Sequence, residues 1–175
     1  MKGYWRNQKA TDEIFVDGPD GRWMRTGDIA YVNNKGYFFI VDRMKELIKV
    51  KGNQVAPAEL EALLLEHPQI ADAAVVGVTI DGEEIPRAYV VLQAGQKGSE
   101  KEVQQWTAKR VTRYKRLDGG VVFVDAIPKN PVRLSPLVRF EAATDDQQSG
   151  KILRKILRDK AKAEVGDKDP VQAKL

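Results

Sequence analysis

The chain has 175 residues, 42% of them hydrophobic and 31% charged, with a formal net charge of +4. That length suits one or two small globular units. The absence of cysteine excludes disulfides, thiolate-bound metals and cysteine nucleophiles. No apolar run is long enough to cross a membrane, and the start lacks the form of a secretory signal. The positive charge is spread along the chain and strongest near its end, with no helix-turn-helix, zinc-finger or aromatic single-strand pattern, so no nucleic-acid partner is expected.

Met1 to Val41 reads as β structure. Glu13–Asp17 and Tyr37–Val41 have strand composition, and Asp17-Gly18-Pro19-Asp20-Gly21 and Asn33-Asn34-Lys35-Gly36 have turn composition. Between them lies Thr26-Gly27-Asp28. In Glu46–Lys51 the apolar Ile48 and Val50 alternate with Lys49 and Lys51, so a strand there places both lysines on one face, and Gly52 allows a turn or a close backbone approach. Two lysines beside a glycine turn suit a phosphate group, and also suit a solvated edge strand. Pro57 starts a helix running to Glu66, with Leu60, Leu63 and Leu64 as its apolar stripe. His67, the single histidine, follows that helix and precedes Pro68, a place for a cap rather than a catalytic base.

Ala73–Val78 and Arg87–Leu92 read as a strand pair joined at Asp81-Gly82. Ser99 and Glu102 form a capping box, and Val103, Trp106, Val111 and Tyr114 give the following helix a core-facing stripe. Val121–Val124 supplies a third strand. Ser149–Arg158 closes the chain as an amphipathic helix, with Ile152, Leu153, Ile156 and Leu157 on one face and Arg154, Lys155 and Arg158 toward water. The expected fold is α+β, a short, mainly antiparallel sheet with helices burying one of its faces.

Asp42-Arg43, Lys45, Ile48-Lys49, Gly52, Gln54-Val55, Pro57 and Glu59-Leu60-Glu61 together form a long, ungapped pattern. It resembles the hinge region of the adenylate-forming superfamily, with details similar to the coumarate–CoA ligase and luciferase branch. The resemblance extends to Gly3-Tyr4-Trp5, to Thr26-Gly27-Asp28 and to Ser149-Gly150-Lys151. It implies that residues 1–43 are the last β elements of a large AMP-binding domain and that residues 44–175 are the C-terminal lid. Asp28 would then accept hydrogen bonds from both ribose hydroxyls of the nucleotide, with Arg43 as a second ribose or phosphate contact. Lys45 would be the hinge, Lys49 and Gln54 would contact the acyl-adenylate, and Lys51 and Gly52 would line the CoA tunnel. Lys151 would bridge the acid and the α-phosphate during adenylation. The implied substrates are a small carboxylic acid, ATP with Mg2+, and CoA, with no metal held by this chain. The phosphate loop and acid pocket of the family are absent from the chain, so the expectation is of a piece inactive by itself; the rival reading is a non-catalytic lid or pseudoenzyme.

Two further expectations concern the C-terminal third. Ile127-Pro128-Lys129-Asn130-Pro131 would run almost directly into Ser149-Gly150-Lys151 in the family, but here residues 132–148 intervene without helical or strand period. Excising them rejoins the motif in frame, and the codons open to Val132-Arg133, Thr144-Asp145 and Gln148 allow the signals of a translated intron; a tolerated surface loop is the alternative. The terminal Ala173-Lys174-Leu175 is a close variant of the address read by the peroxisomal import receptor, behind a polar Gly166–Pro170 lead-in, so a peroxisomal location is expected, and otherwise a cytoplasmic one.

Overall fold

The computed structural model describes residues 1–130 and 150–165. The expectations for the insert 132–148 and for the terminal Ala173-Lys174-Leu175, with its Gly166–Pro170 lead-in, lie outside the described residues. The chain divides into two compact units, Met1–Lys45 and Glu46–Leu175.

The first unit is a short helix and two hairpins. Helix α1 (Gln8–Ile14) is followed by β1 (Phe15–Gly18) and β2 (Gly21–Met24), which pair antiparallel, and then by the antiparallel pair β3 (Asp28–Val32) and β4 (Phe38–Arg43). The strand expected at Glu13–Asp17 therefore begins only at Phe15, and Glu13 and Ile14 end a helix. Local capping decides this. The Asn7 side chain accepts the Ala10 amide at 3.0 Å, and the Thr11 hydroxyl donates to the Asn7 carbonyl at 2.9 Å while accepting the Tyr4 amide at 2.9 Å.

In the second unit, β5 (Ile48–Val50) and β6 (Asn53–Val55) form a tight hairpin, and Pro57 at the first turn opens α2 (Pro57–Leu65). Strands β7 (Ile70–Ile80), β8 (Glu83–Leu92) and β9 (Val121–Phe123) make a sheet in that order, β8 pairing antiparallel with β7 and parallel with β9. Helix α3 (Glu100–Ala108) precedes β9, and α4 (Arg154–Val165) is the last described element. The α+β class with short, mainly antiparallel sheets is as expected.

The expectation that helices bury one face of the sheet is too small. Along β7, Ala73 and Val75 join Leu60 and Leu64 of α2, Ile48 and Val55 of the hairpin, and Val103 of α3 in one buried cluster. The alternate residues Ala74, Val76 and Val78 join Tyr89, Ile127, and Leu157 and Ala161 of α4 in a second. Since successive strand residues point to opposite faces, α2 and α4 cover opposite faces of the sheet. The unbroken apolar run Ala73–Val78 is the mark of a strand buried on both sides.

Two helical expectations change. The stripe Val103, Trp106, Val111, Tyr114 does not lie on one helix: α3 ends at Ala108, and Val111 and Tyr114 pack partly buried against the first core from a bend and a 3-10 turn (Arg113–Lys115). Trp106 instead meets the edge of His67, ring centroids 5.0 Å apart, with Arg110 stacked over it at 3.9 Å. His67 does act as a cap: its amide donates to the Leu64 carbonyl at 3.0 Å, and its Nδ1 accepts the Gln69 amide at 3.3 Å. Helix α4 starts at Arg154 rather than Ser149, and its buried positions are Leu157 and Ala161. Ile156, expected inside, is 51% exposed, and Arg154, expected in water, is held against Glu61 with its side chain only 13% exposed. Hydrophobic spacing alone did not anticipate a buried ion pair at the helix start.

Candidate functional site

The β5–β6 hairpin is held by Ile48, Val50 and Val55, which are buried, while Lys49 between Ile48 and Val50, and Gln54 beside Val55, are presented outward. Lys49 and Gln54 are direct cross-strand partners, both exposed. Side chains opposite each other in an antiparallel pair lie on one face within reach of a shared ligand. Lys51 and Gly52 form the two-residue tip, with φ of 48° and 82°. Positive φ at both positions is the turn that matches strand twist in a two-residue hairpin, and it is costly for a residue with a side chain. Lys51 is therefore not a strand residue sharing a face with Lys49, as alternation suggested. It stands at the tip, in a strained conformation, beside a glycine with open space where a Cβ would be.

The start of β8 buttresses this hairpin. The Lys49 amide donates to Glu84 Oε2 at 2.9 Å, and Lys51 Nζ lies 3.2 Å from Glu83 Oε2. The first bond uses a backbone group that β6 leaves unpaired; the second is an exposed pair worth at most about 1 kcal/mol. Neither acid carried a local signal in the sequence, because both lie more than 30 residues downstream.

In the first unit, Asp28 opens β3 and Arg43 closes β4, in register with each other, with Arg43 Nε 3.4 Å from Asp28 Oδ1. The Thr26 hydroxyl accepts the Asp28 amide at 3.2 Å, and Gly27 accepts the Met44 amide at 2.9 Å, so the Thr-Gly-Asp turn is tied to the end of β4. A carboxylate beside a guanidinium can accept from a vicinal diol while the cation meets an anionic group. Lys45 is the last residue of the first unit, exposed in the turn after β4.

Lys151 lies in the second unit, exposed, and its side chain makes no hydrogen bond or ion pair among the described residues. Its backbone, in contrast, is tightly held. The Asn130 amide donates to the Lys151 carbonyl at 3.0 Å, the Leu153 amide to the Pro128 carbonyl at 2.8 Å, and Lys129 and Ile152 form an antiparallel bridge. Gly150 fits because a Cβ there would overlap the Asn130 carbonyl. Residues 128–130 and 150–153 are thus held side by side.

Around Lys151 the packing is anchored by ion pairs. Lys129 Nζ meets Asp72 Oδ2 at 2.5 Å, Arg158 Nη1 lies 3.3 Å from Glu46 Oε2, and one Arg154 terminal nitrogen reaches both Glu61 oxygens at 2.9 and 2.6 Å. At the far end of α4, Glu164 accepts from Arg87 at 2.7 Å and from the Tyr89 hydroxyl at 3.0 Å. Burial, with the hydrogen bond to Glu164, pushes the Tyr89 hydroxyl up to about 12. Burial alone would raise the Glu164 carboxyl, but the hydrogen bonds from Arg87 and Tyr89 outweigh it and hold it below its ordinary value.

The sites read from the sequence therefore form three groups: Asp28 with Arg43, the hairpin with Lys49, Lys51, Gly52 and Gln54, and Lys151 on its pinned turn. The first group belongs to one unit and the other two to the second. Among the described residues, no group of three or more His, Asp or Glu could hold a metal ion, and no helix is long and apolar enough to cross a membrane.

Residues 59–133 match the family model described as the AMP-binding enzyme C-terminal domain. The chain is 48% identical over 160 residues to the probable 4-coumarate–CoA ligase 3 of Dictyostelium discoideum, a match covering 91% of this chain and 25% of that protein. It is 49% identical over 159 residues to the peroxisomal OPC-8:0-CoA ligase 1 of Arabidopsis thaliana, covering 90% and 25%. Among solved structures it resembles ATP-bound MatB from Rhodopseudomonas palustris, with a TM-score of 0.75 at 28% identity, over 94% of this chain and 29% of that one. The chain spans about a quarter of the length of the curated relatives it matches.

Proposed function

Because the chain belongs to the adenylate-forming, AMP-binding enzymes and corresponds to their C-terminal part, we propose that it carries the lid of an AMP-forming acid–CoA ligase. In the complete reaction, a carboxylate oxygen attacks the α-phosphorus of MgATP, pyrophosphate leaves, and an acyl-adenylate forms. The CoA sulfur then attacks the acyl carbon and AMP leaves. Residues 1–43 would be the end of the large nucleotide-binding domain, with Asp28 and Arg43 on the ribose and phosphate, and residues 44–175 the lid, turning about Lys45. Lys151 would meet the charge that builds on the carboxylate and α-phosphate in the first step. After rotation, Lys49 and Gln54 would meet the acyl-adenylate, and Lys51 and Gly52 would line the path of the CoA arm.

The observation that carries this reading is the β5–β6 hairpin. Lys49 and Gln54 face each other across it, and Lys51 and Gly52 form its tip, with the strained φ of Lys51 kept in place. Backbone strain at a non-glycine residue is a feature that clusters at working sites. Ala173-Lys174-Leu175, a close variant of a peroxisomal address, supports delivery by the peroxisomal import receptor, as does the peroxisomal relative.

The test fuses this chain to the large domain of a coumarate–CoA ligase relative and measures the two half-reactions separately. Lys151→Ala is expected to slow pyrophosphate release with little effect on thioester formation from supplied acyl-adenylate, and Lys51→Ala to do the reverse. Equal losses in both steps for both variants would overturn the division of roles. The 175-residue chain alone is expected to release no pyrophosphate from ATP and a panel of aryl and fatty acids; turnover there would overturn the reading that it needs a partner domain.

A further inference from the structure

The end of the hinge motif, Glu61, has a place in the fold that the proposed reaction does not use. It lies on α2, and α2 covers one face of the sheet while α4 covers the other. Among the described residues, strand β7 is an outer strand, paired with β8 alone. Glu61 Oε1 accepts the amide of Val75 on β7 at 2.9 Å, and Arg154, the first residue of α4, places one terminal nitrogen 2.9 and 2.6 Å from the two Glu61 oxygens. Both side chains are nearly buried, at 11% and 13% exposure. The pair is therefore a clamp round the edge of the sheet, joining the layers on its two faces at the start of α4.

Lys151 stands three residues before Arg154. On its other side its backbone is stitched to residues 128–130 by the Asn130 and Leu153 amides. Its Cα is thus suspended between a short β bridge and the Glu61–Arg154 clamp. The bridge is a single pair of residues, while the clamp ties the first residue of α4 to α2. We propose that Glu61 and Arg154 are positioning residues that set where the Lys151 ammonium is delivered during adenylation; this rests on the role of Lys151 given above. Charged groups of this kind, buried and paired, often add little net stability against an apolar replacement, so a role in placement accounts for them better than a role in holding the fold. Small displacements of a catalytic group are costly, because the reacting atoms must already be aligned.

The first measurement uses the 175-residue chain as it stands. Glu61→Gln is expected to speed amide exchange of Asn130 and Leu153 roughly tenfold, with Ala88, in the middle of the sheet, unchanged. In the fused enzyme, the same substitution is expected to slow adenylation roughly tenfold and leave thioester formation within about twofold. The double variant Glu61→Gln with Arg154→Met removes the buried unpaired cation, so its melting temperature should return to near the parent value while adenylation stays slow. Recovery of adenylation together with stability would make the pair purely structural and overturn the inference. So would parental exchange rates at Asn130 and Leu153 in Glu61→Gln. Lys151→Ala, run alongside, separates the two claims. If it leaves adenylation intact, the role of Lys151 falls and this inference with it; if it slows adenylation and Glu61→Gln does not, only this inference falls.

Discussion

The two units of the chain bury their apolar residues to opposite extents. Among the described residues of Glu46–Leu175, nearly all the buried hydrophobic residues form two clusters on the two faces of one sheet. In Met1–Lys45 only Thr11 and Asp42 are buried, and the hairpins expose Trp23, Tyr31, Tyr37, Phe39 and Ile40, with Phe38 at 78%. Two-stranded sheets are at best marginally stable by themselves. The second unit thus has a buried core of its own, whereas the first leaves most of its aromatic side chains exposed. The Asp28–Arg43 pair is built on the second of these exposed hairpins.

Separating the units gives the largest expected effect. Residues 46–175 alone should keep dispersed amide resonances and a cooperative unfolding transition, and residues 1–45 alone should show neither. A cooperatively folded 1–45 would break the comparison. Within the intact chain, truncation should have unequal consequences. Leu60→Ala, at a site with no exposure, should cost about 2–5 kcal/mol in urea unfolding. Phe38→Ala should stay within about 0.5 kcal/mol, as for surface changes.

The two-faced core also has a pH signature. Tyr89 is fully buried and its hydroxyl is raised from 10.0 to about 12. Its neutral form is favoured in the folded state, so this contribution is fully present below pH 10 and is lost as pH rises toward 12, amounting to about 3 kcal/mol. Glu164 has the opposite sign. Its carboxyl is held below its ordinary value of 4.5, so its contribution is present above that pH and fades as the pH falls through the depressed value. Tyr89→Phe should flatten the alkaline limb of a stability–pH curve, and Glu164→Gln should flatten both limbs.

A smaller effect sharpens the contrast at the hairpin. Gly52→Ala should cost about 1 kcal/mol, because φ of 82° disfavours a side chain. Lys51→Gly should gain a few tenths of a kcal/mol of stability by relieving the strain at 48°, and would do so at the expense of CoA-dependent thioester formation if Lys51 acts as proposed. Chemical denaturation of the two variants beside the half-reaction assay separates stability from function.

Much of this was legible in the sequence because its signals are local. The helix at Pro57, the β7–β8 pair with its turn at Asp81-Gly82, and the Ser99–Glu102 capping box, where Ser99 donates its amide to Glu102 at 3.1 Å, each rest on residues a few positions apart. The adenylate-forming resemblance is likewise carried by contiguous motifs, and the site residues it proposes come from those motifs. What only the tertiary structure decided is what lies opposite what. Periodicity placed Arg154 in water and Ile156 inside, because a helix pattern records hydrophobicity and not the ion pair that makes burial of a guanidinium acceptable. It placed Lys51 on a strand face because alternation says nothing about where a strand ends and φ turns positive. The clamp of Glu61 and Arg154 joins residues 93 positions apart, and only the packing of two helices on opposite faces of one sheet brings them together.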